Sequence, residues 1–185
     1  MGRLRFLWGF FAFMFAFSYF GSPAEVFALG PLMQGVASSA FNALPGTLSV
    51  PGLPFETKTF TVKALDGAEL PGHVLVPKNV SPGKRLPVIL FVHSWLLTQI
   101  EYVTQEVQFA IKGYIVGSYD CRGWYAGQGK IQVTGPAEMD DLSRVLDHIL
   151  SIPSADSGNV GVVGISYGGG HALLAPAFDE RVKVV

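Results

Sequence analysis

The stretch GVVGISYGGG (Gly161–Gly170) sets one serine between a β-branched apolar run and a cluster of glycines. β-Branched residues suit a buried strand, and the YGGGHALLAPAF that follows reads as a short helix. Ser166 therefore stands where a strand turns into a helix. A turn made within about one residue forces the serine into strained backbone angles, and Gly164 and Gly168 remove the Cβ atoms that would collide there. Such a kink lifts the hydroxyl clear of the sheet. It also leaves the N–H of Tyr167, at the helix start, aimed at a developing oxyanion. The competing readings are a plain turn and a phosphate contact. The phosphate-loop spacing G-x-x-x-x-G-K-[ST] is absent, and no G-x-G-x-x-G opens a helix near an N-terminal strand. Ser166 is the candidate nucleophile.

Working back toward the N-terminus, the hydrophobic period alternates between strand and helix. PAEMDDLSRVLDHILSIP places Met139, Leu142, Val145, Leu146, Ile149 and Leu150 on one helical face, with Pro136 before it and Pro153 after. YIVGSYD and the Val88–Val92 run of LPVILFVHS read as strands buried on both faces. Between them, Val103, Val107 and Ile111 fall at helical spacing, with Gly113 as the stop. Upstream, ETKTFTVKA predicts an edge strand and DGAELPGHVLVP a turn and a second strand. RVKVV begins a further strand after the serine's helix. Strands alternating with helices imply an α/β fold: a mostly parallel sheet with helices on both faces. Chemistry in such sheets gathers at the carboxyl ends of the strands. His93-Ser94-Trp95, Asp120-Cys121-Arg122-Gly123 and Ser166 all lie at such ends.

The chain's 185 residues suit one domain with a substantial core. At 49% hydrophobic, 15% charged and a net charge of −1, it lacks the basic face that a nucleic-acid binder needs. Residues 1–28 are a separate segment. Two arginines in MGRLR precede the apolar run FLWGFFAFMFAFSYF, and small residues follow at Ser22 and Ala24, or Val26 and Ala28. That is the build of a secretory leader. The fifteen-residue run is shorter than the roughly 20 residues that span a bilayer. Export to a secreted or periplasmic location is expected, with a membrane anchor if the leader stays uncleaved. Residues 29–54, rich in Gly, Pro, Ser and Ala, read as a linker, and residues 55–185 as the folded domain. Cys121 is the sole cysteine, so no internal disulfide forms.

HSWLLTQIEY, FAIKGYIVGSYDCRGW and GPAEMDDLSRVLDHILSIPSADSGNVGVVGISYGGG together resemble the α/β-hydrolases of the peptidase S15 group, which includes Xaa-Pro dipeptidyl-peptidase-like and cocaine-esterase-like enzymes. The resemblance covers about residues 55–185, and its most specific parts are the GISYGG elbow, the D-x-R-G run and the acidic E-x-x-D helix start. It implies a serine hydrolase that cleaves an ester or peptide bond through an acyl-enzyme on Ser166, and that needs no cofactor. Tyr167 falls on the family's backbone oxyanion donor. Cocaine-esterase-like members supply the second donor from a tyrosine hydroxyl; Trp95 has none, so its backbone N–H would serve. RGWYAGQG departs from the smaller, serine-containing run usual after RG, and Tyr125 is expected to reshape that loop. The family order is serine, then acid, then histidine. Nineteen residues follow Ser166, with Asp179 and Glu180 but no histidine beyond His171. The acid and base are therefore expected past residue 185, in a C-terminally truncated chain. The alternative is a non-catalytic α/β-hydrolase-like binding module without a complete triad.

The remaining polar residues have simpler readings. His93 is expected to bond loop backbone, His171 to pack, His148 to sit on the surface, and His73 to lie in a strand far from the cluster. Glu138, Asp140 and Asp141 suit the positive end of a helix, and no His or Cys spacing supports zinc. Asp120 and Arg122 are expected to pair with each other or with loop backbone. Trp95, Trp124 and Tyr125 either line a pocket or belong to the core.

Overall fold

The computed structural model describes residues 47–48 and 52–185. The leader and most of the linker lie outside the described residues. The rest of the chain builds a sheet from β1 (Thr47–Leu48), β2 (Phe55–Lys63), β3 (Glu69–Pro77), β4 (Leu86–Val92), β5 (Ile115–Tyr119), β6 (Ala155–Gly164) and β7 (Val182–Val184). Its order is β1-β2-β3-β5-β4-β6-β7. The β5, β4, β6 and β7 neighbours run parallel, while β1, β2 and β3 join as antiparallel neighbours. The expected α/β architecture is present. β2 is not the edge strand that its alternating pattern suggests, because β1 pairs outside it. β1 and the buried Leu53 both come from the stretch read as linker.

Period-two alternation along β4 feeds two cores. Val88, Leu90 and Val92 pack on the face covered by α2 (Pro136–Leu150) and α3 (Tyr167–Phe178). Ile89 and Phe91 pack on the opposite face, against Tyr102, Val107 and Ala110 of α1 (Val103–Ile111) and its approach. Each such apolar side chain contributes about 1.5–3 kcal/mol on burial, so the continuous apolar run of β4 is what makes it central.

α2 buries Met139, Leu142, Val145, Leu146 and Ile149, as its periodicity predicts, with Pro136 as its first residue rather than the residue before it. α1 differs from expectation. Its buried residues are Glu106, Val107 and Ala110, and Ile111 is 49% exposed. At 3.6 residues per turn, Ala110 lies about 20° from Val103 around the helix, and Ile111 about 80°. The apolar stripe therefore passes through Glu106 and ends at Ala110. Gly113 closes the helix at φ +92°, a left-handed conformation that suits glycine.

Candidate active site

β6 runs directly into α3 through Ile165 and Ser166. Ser166 has φ 57° and ψ −115°, a region costly for a residue with a side chain and held only by surrounding structure. Its neighbours show what holds it. A Cβ on Gly164 would lie 2.4 Å from the Gly168 carbonyl carbon, and one on Gly168 would lie 2.0 Å from the Val92 carbonyl oxygen. Bare backbone at both positions lets α3 start against the carboxyl end of β4. Ser166 is exposed, and Tyr167 beside it is buried.

The loop after β4 leaves from the same point. His93 is fully buried, and its Nε2 accepts the Cys121 N–H at 3.0 Å. Its proton therefore sits on Nδ1, which donates to the Ser94 carbonyl at 2.8 Å. That carbonyl also accepts the Leu97 N–H at 3.1 Å. In a planar trans peptide the C=O of Ser94 and the N–H of Trp95 point in opposite directions, so fixing the former aims the latter. Among the described residues, neither the Trp95 nor the Tyr167 N–H has a hydrogen-bond acceptor. The turn carries strain at Leu96, φ +64°.

Glu101 and Tyr102 tie this loop to the elbow. The Glu101 carboxylate accepts the Ser94 N–H at 2.5 Å and the Ser94 hydroxyl at 2.8 Å. The Ser94 hydroxyl also lies 3.2 Å from the Ile165 carbonyl, and the Tyr102 hydroxyl accepts the Ile165 N–H at 3.0 Å. Burial is the main influence on Glu101 and raises its pKa; the Ser94 donors oppose it.

A second polar frame lies under α3. Glu138 accepts the Tyr167 hydroxyl at 2.8 Å, the Gln132 N–H at 2.7 Å and the Thr134 N–H. It thereby holds Val133 and Thr134 at positive φ. Arg122 makes a two-pronged contact with Asp141, Nε to Oδ2 at 2.6 Å and NH2 to Oδ1 at 2.8 Å, and reaches Asp66 at 2.9 Å. Asp120 instead accepts the Gln99 N–H at 2.8 Å. Asp120 thus bonds loop backbone, one of the two expected arrangements, and does not pair with Arg122, whose guanidinium reaches Asp141 on α2 and Asp66. Asp140 binds Arg144 at 2.7 Å, whereas Asp141 and Glu138 bridge to other elements and are not only dipole complements.

His73 is not remote from the cluster. It bonds Glu106 at 2.6 Å and Gln99 at 2.8 Å, and Gln99 links it to Asp120. Burial works against its charge, but Glu106, with Gln99 and Asp120, raises its pKa overall. His171 is fully buried and bonds the Tyr167 carbonyl through Nδ1 at 3.0 Å. Its Nε2 lies 3.5 Å from Glu138 without a hydrogen bond, and burial keeps its pKa low. His148 is exposed and packs on Phe60. Trp95, 45% exposed, sits edge-on to buried Trp124 at 4.4 Å and to Tyr167 at 5.5 Å, while Tyr125 is exposed at φ +47°. Burial pushes the Cys121 thiol far above its usual pKa, so it stays protonated.

A serine on a strained strand-to-helix turn, on a mixed sheet whose β5, β4, β6 and β7 run parallel and which helices cover on both faces, is the architecture of an α/β-hydrolase. The model of the X-Pro dipeptidyl-peptidase (S15) family matches residues 66–185, and the chain belongs to that family. It is similar to the polyketide transferase claH of Penicillium crustosum, 29% identical over 126 residues, covering 66% of this chain and 41% of that protein. The crystal structure of hypothetical protein PA2218 from Pseudomonas aeruginosa superposes with a TM-score of 0.62 at 28% identity, over 74% of this chain and 43% of that one. Pyrococcus horikoshii acylaminoacyl peptidase does so with a TM-score of 0.59 at 26% identity, over 70% and 22%. The chain spans less than half the length of these relatives.

Glu101, Tyr102 and Glu106 were not singled out from the sequence. For Glu106 the signal is its place on the apolar stripe of α1; for Glu101 there is none, because its partner is set by the loop's fold.

Proposed function

We propose that this chain carries the nucleophile and oxyanion site of a serine hydrolase acting on a small ester or peptide. The observation that carries the reading is the Ser166 backbone, strained and exposed, with a free amide on the next residue. Ser166 Oγ attacks the carbonyl carbon, and the carbonyl π pair moves onto oxygen. The N–H groups of Tyr167 and Trp95 receive that charge. The general base takes the Ser166 hydroxyl proton during attack and returns it to the leaving alcohol or amine as the adduct collapses to an acyl-serine; it then takes a proton from the water that hydrolyses the ester and returns it to Ser166.

Each described histidine is engaged elsewhere: His73 with Glu106, His93 with Cys121 and Ser94, His171 with the Tyr167 carbonyl, His148 on Phe60. The proposal therefore assigns the base, and the acid that orients it, to residues outside those described. Dipeptidyl peptidase 8 of mouse and human, 29% identical over 132 residues, favours a peptide substrate. Action outside the cytoplasm rests on the leader and is part of the same proposal.

The test is a fluorophosphonate probe on the full-length protein. Labelling that disappears in Ser166→Ala is the expected result. An unlabelled wild type, or a label retained in the variant, would leave a non-catalytic binding module as the better reading.

A further inference from the structure

Two main-chain segments must keep register for the site to work: Ile165–Ser166, which presents the nucleophile, and Ser94–Trp95, which presents the second amide. They belong to different loops, 71 residues apart in sequence at their Ser94–Ile165 contact. Contacts from Glu101, Ser94 and Tyr102 connect them. Glu101 takes both donors of Ser94, its N–H at 2.5 Å and its hydroxyl at 2.8 Å. The hydroxyl of the next residue, Tyr102, accepts the N–H of Ile165. Ser94 is the residue before the candidate donor Trp95, and Ile165 the residue before Ser166. Loss of the carboxylate would release the Ser94 N–H and let the Ser94–Leu97 turn, strained at Leu96, relax.

We propose that Glu101 is a positioning residue of the oxyanion site, its carboxylate clamping the Ser94–Trp95 main chain in register with the Ser166 elbow. This rests on the hydrolase reading above. The acid acts through Ser94 and need not touch substrate.

The chemistry sets a distinctive signature. A carboxylate close to a developing oxyanion opposes it electrostatically, so Glu101 serves by geometry and not by charge. Glutamine can reproduce the clamp: its oxygen accepts the Ser94 N–H, and its NH2 donates to the Ser94 hydroxyl oxygen. The Ser94 proton then goes to the Ile165 carbonyl, already 3.2 Å away. Neutral glutamine should therefore work, and alanine should not.

The experiment compares wild type, Glu101→Gln, Glu101→Ala and Ser166→Ala as full-length proteins. Active sites are titrated with a fluorophosphonate, turnover of p-nitrophenyl acetate is expressed per titrated site, and inhibition by an alkyl trifluoromethyl ketone is measured. In Glu101→Ala, turnover per site should fall about 10- to 100-fold, short of the loss seen when a donor is deleted. KM should stay within about threefold, and the ketone, which forms a tetrahedral oxyanion adduct, should weaken in parallel with kcat/KM. Glu101→Gln should remain within about threefold of wild type.

Three results would overturn the assignment: unchanged turnover per site in the alanine variant, a loss of turnover with unchanged ketone affinity, or a glutamine variant as impaired as alanine. The first of these, if accompanied by a smaller titrated fraction, would mean that Glu101 merely supports folding. An unlabelled wild type would remove the hydrolase reading itself. A labelled wild type matched by the alanine variant would remove this inference alone.

Discussion

Replacing Gly168 with alanine places a Cβ 2.0 Å from the Val92 carbonyl oxygen, 2.8 Å from its carbon and 3.0 Å from the His93 carbonyl oxygen. All three are backbone atoms at the end of β4, so no rotamer change relieves the clash. Ordinary contact needs at least 3.4 Å, so α3 and β4 must part by about 1.4 Å. Overpacking of this kind costs roughly 1–3 kcal/mol or more, and the rigidity of the neighbours puts it at about 3 kcal/mol. Displacing reacting groups by about 1 Å costs on the order of 10²-fold in rate. The next glycine is the control. A Cβ on Gly169 meets nothing nearer than 3.4 Å, and in a helix interior alanine is favoured over glycine by about 1 kcal/mol. Urea unfolding and the second-order rate of fluorophosphonate labelling distinguish the two variants. Gly168→Ala should lose about 3 kcal/mol and label about 10²-fold more slowly; Gly169→Ala should label as wild type does and be no less stable. A Gly168→Ala protein that unfolds and labels normally, or a Gly169→Ala protein equally damaged, would refute the close-approach account of the elbow.

Tyr167→Phe removes the hydroxyl that Glu138 accepts and should cost about 1–2 kcal/mol in urea unfolding. Because the proposed donor is the main-chain N–H, labelling should stay within about threefold; a fall near 10²-fold would assign the hydroxyl to the chemistry instead. Burial, the dominant influence, lowers the His93 pKa, and the nearby His171 adds to the effect. A depressed folded-state value means that its contribution to stability is whole above the ordinary 6.5 and is lost as pH falls through the folded pKa. At pH 6.5, nitrogen-15 NMR should show His93 neutral with the proton on Nδ1. A half-charged ring, or a proton on Nε2, would contradict the Cys121 and Ser94 contacts.

The fold and the strand-to-helix turn at Ser166 were legible because their signals are local. The apolar run of β4, the stripe of α2 and the glycines around Ser166 each act within a few residues of themselves. Polar partners were legible only in part: His93 and Asp120 bond loop backbone as expected, whereas pairing of side chains across elements leaves no trace in spacing. Arg122 and Asp120 are near neighbours in sequence, yet Arg122 finds Asp141, 19 residues on, and Asp120 finds Gln99, 21 residues back. His73 reads as a strand residue until α1 brings Glu106 to it from 33 residues away.

The buried polar groups share a place in the molecule. Glu101, His93 and Asp120 lie in the loops after β4 and β5, and Glu138, Asp141 and Arg122 hold the loops leading to α2. Burying charged and polar groups is a weak source of stability, since desolvation offsets most of the attraction. A chain selected for stability alone would fill these positions with apolar side chains. What the buried groups do supply is direction: a histidine with one permitted tautomer, a carboxylate with two donors from one residue, a carboxylate under the tyrosine beside the serine. The histidine and Glu101 fix the Ser94–Trp95 main chain, while Glu138 fixes the Gln132–Thr134 loop and meets the elbow only through the Tyr167 hydroxyl. Where local rules fail in an otherwise consistent sequence, a functional constraint is the expected cause, and Glu106 on the apolar stripe of α1 is one such failure. On the hydrolase reading proposed above, the polar network around the β4 and β5 loops is the support that holds the Ser94–Trp95 and Ile165–Ser166 main chains in place.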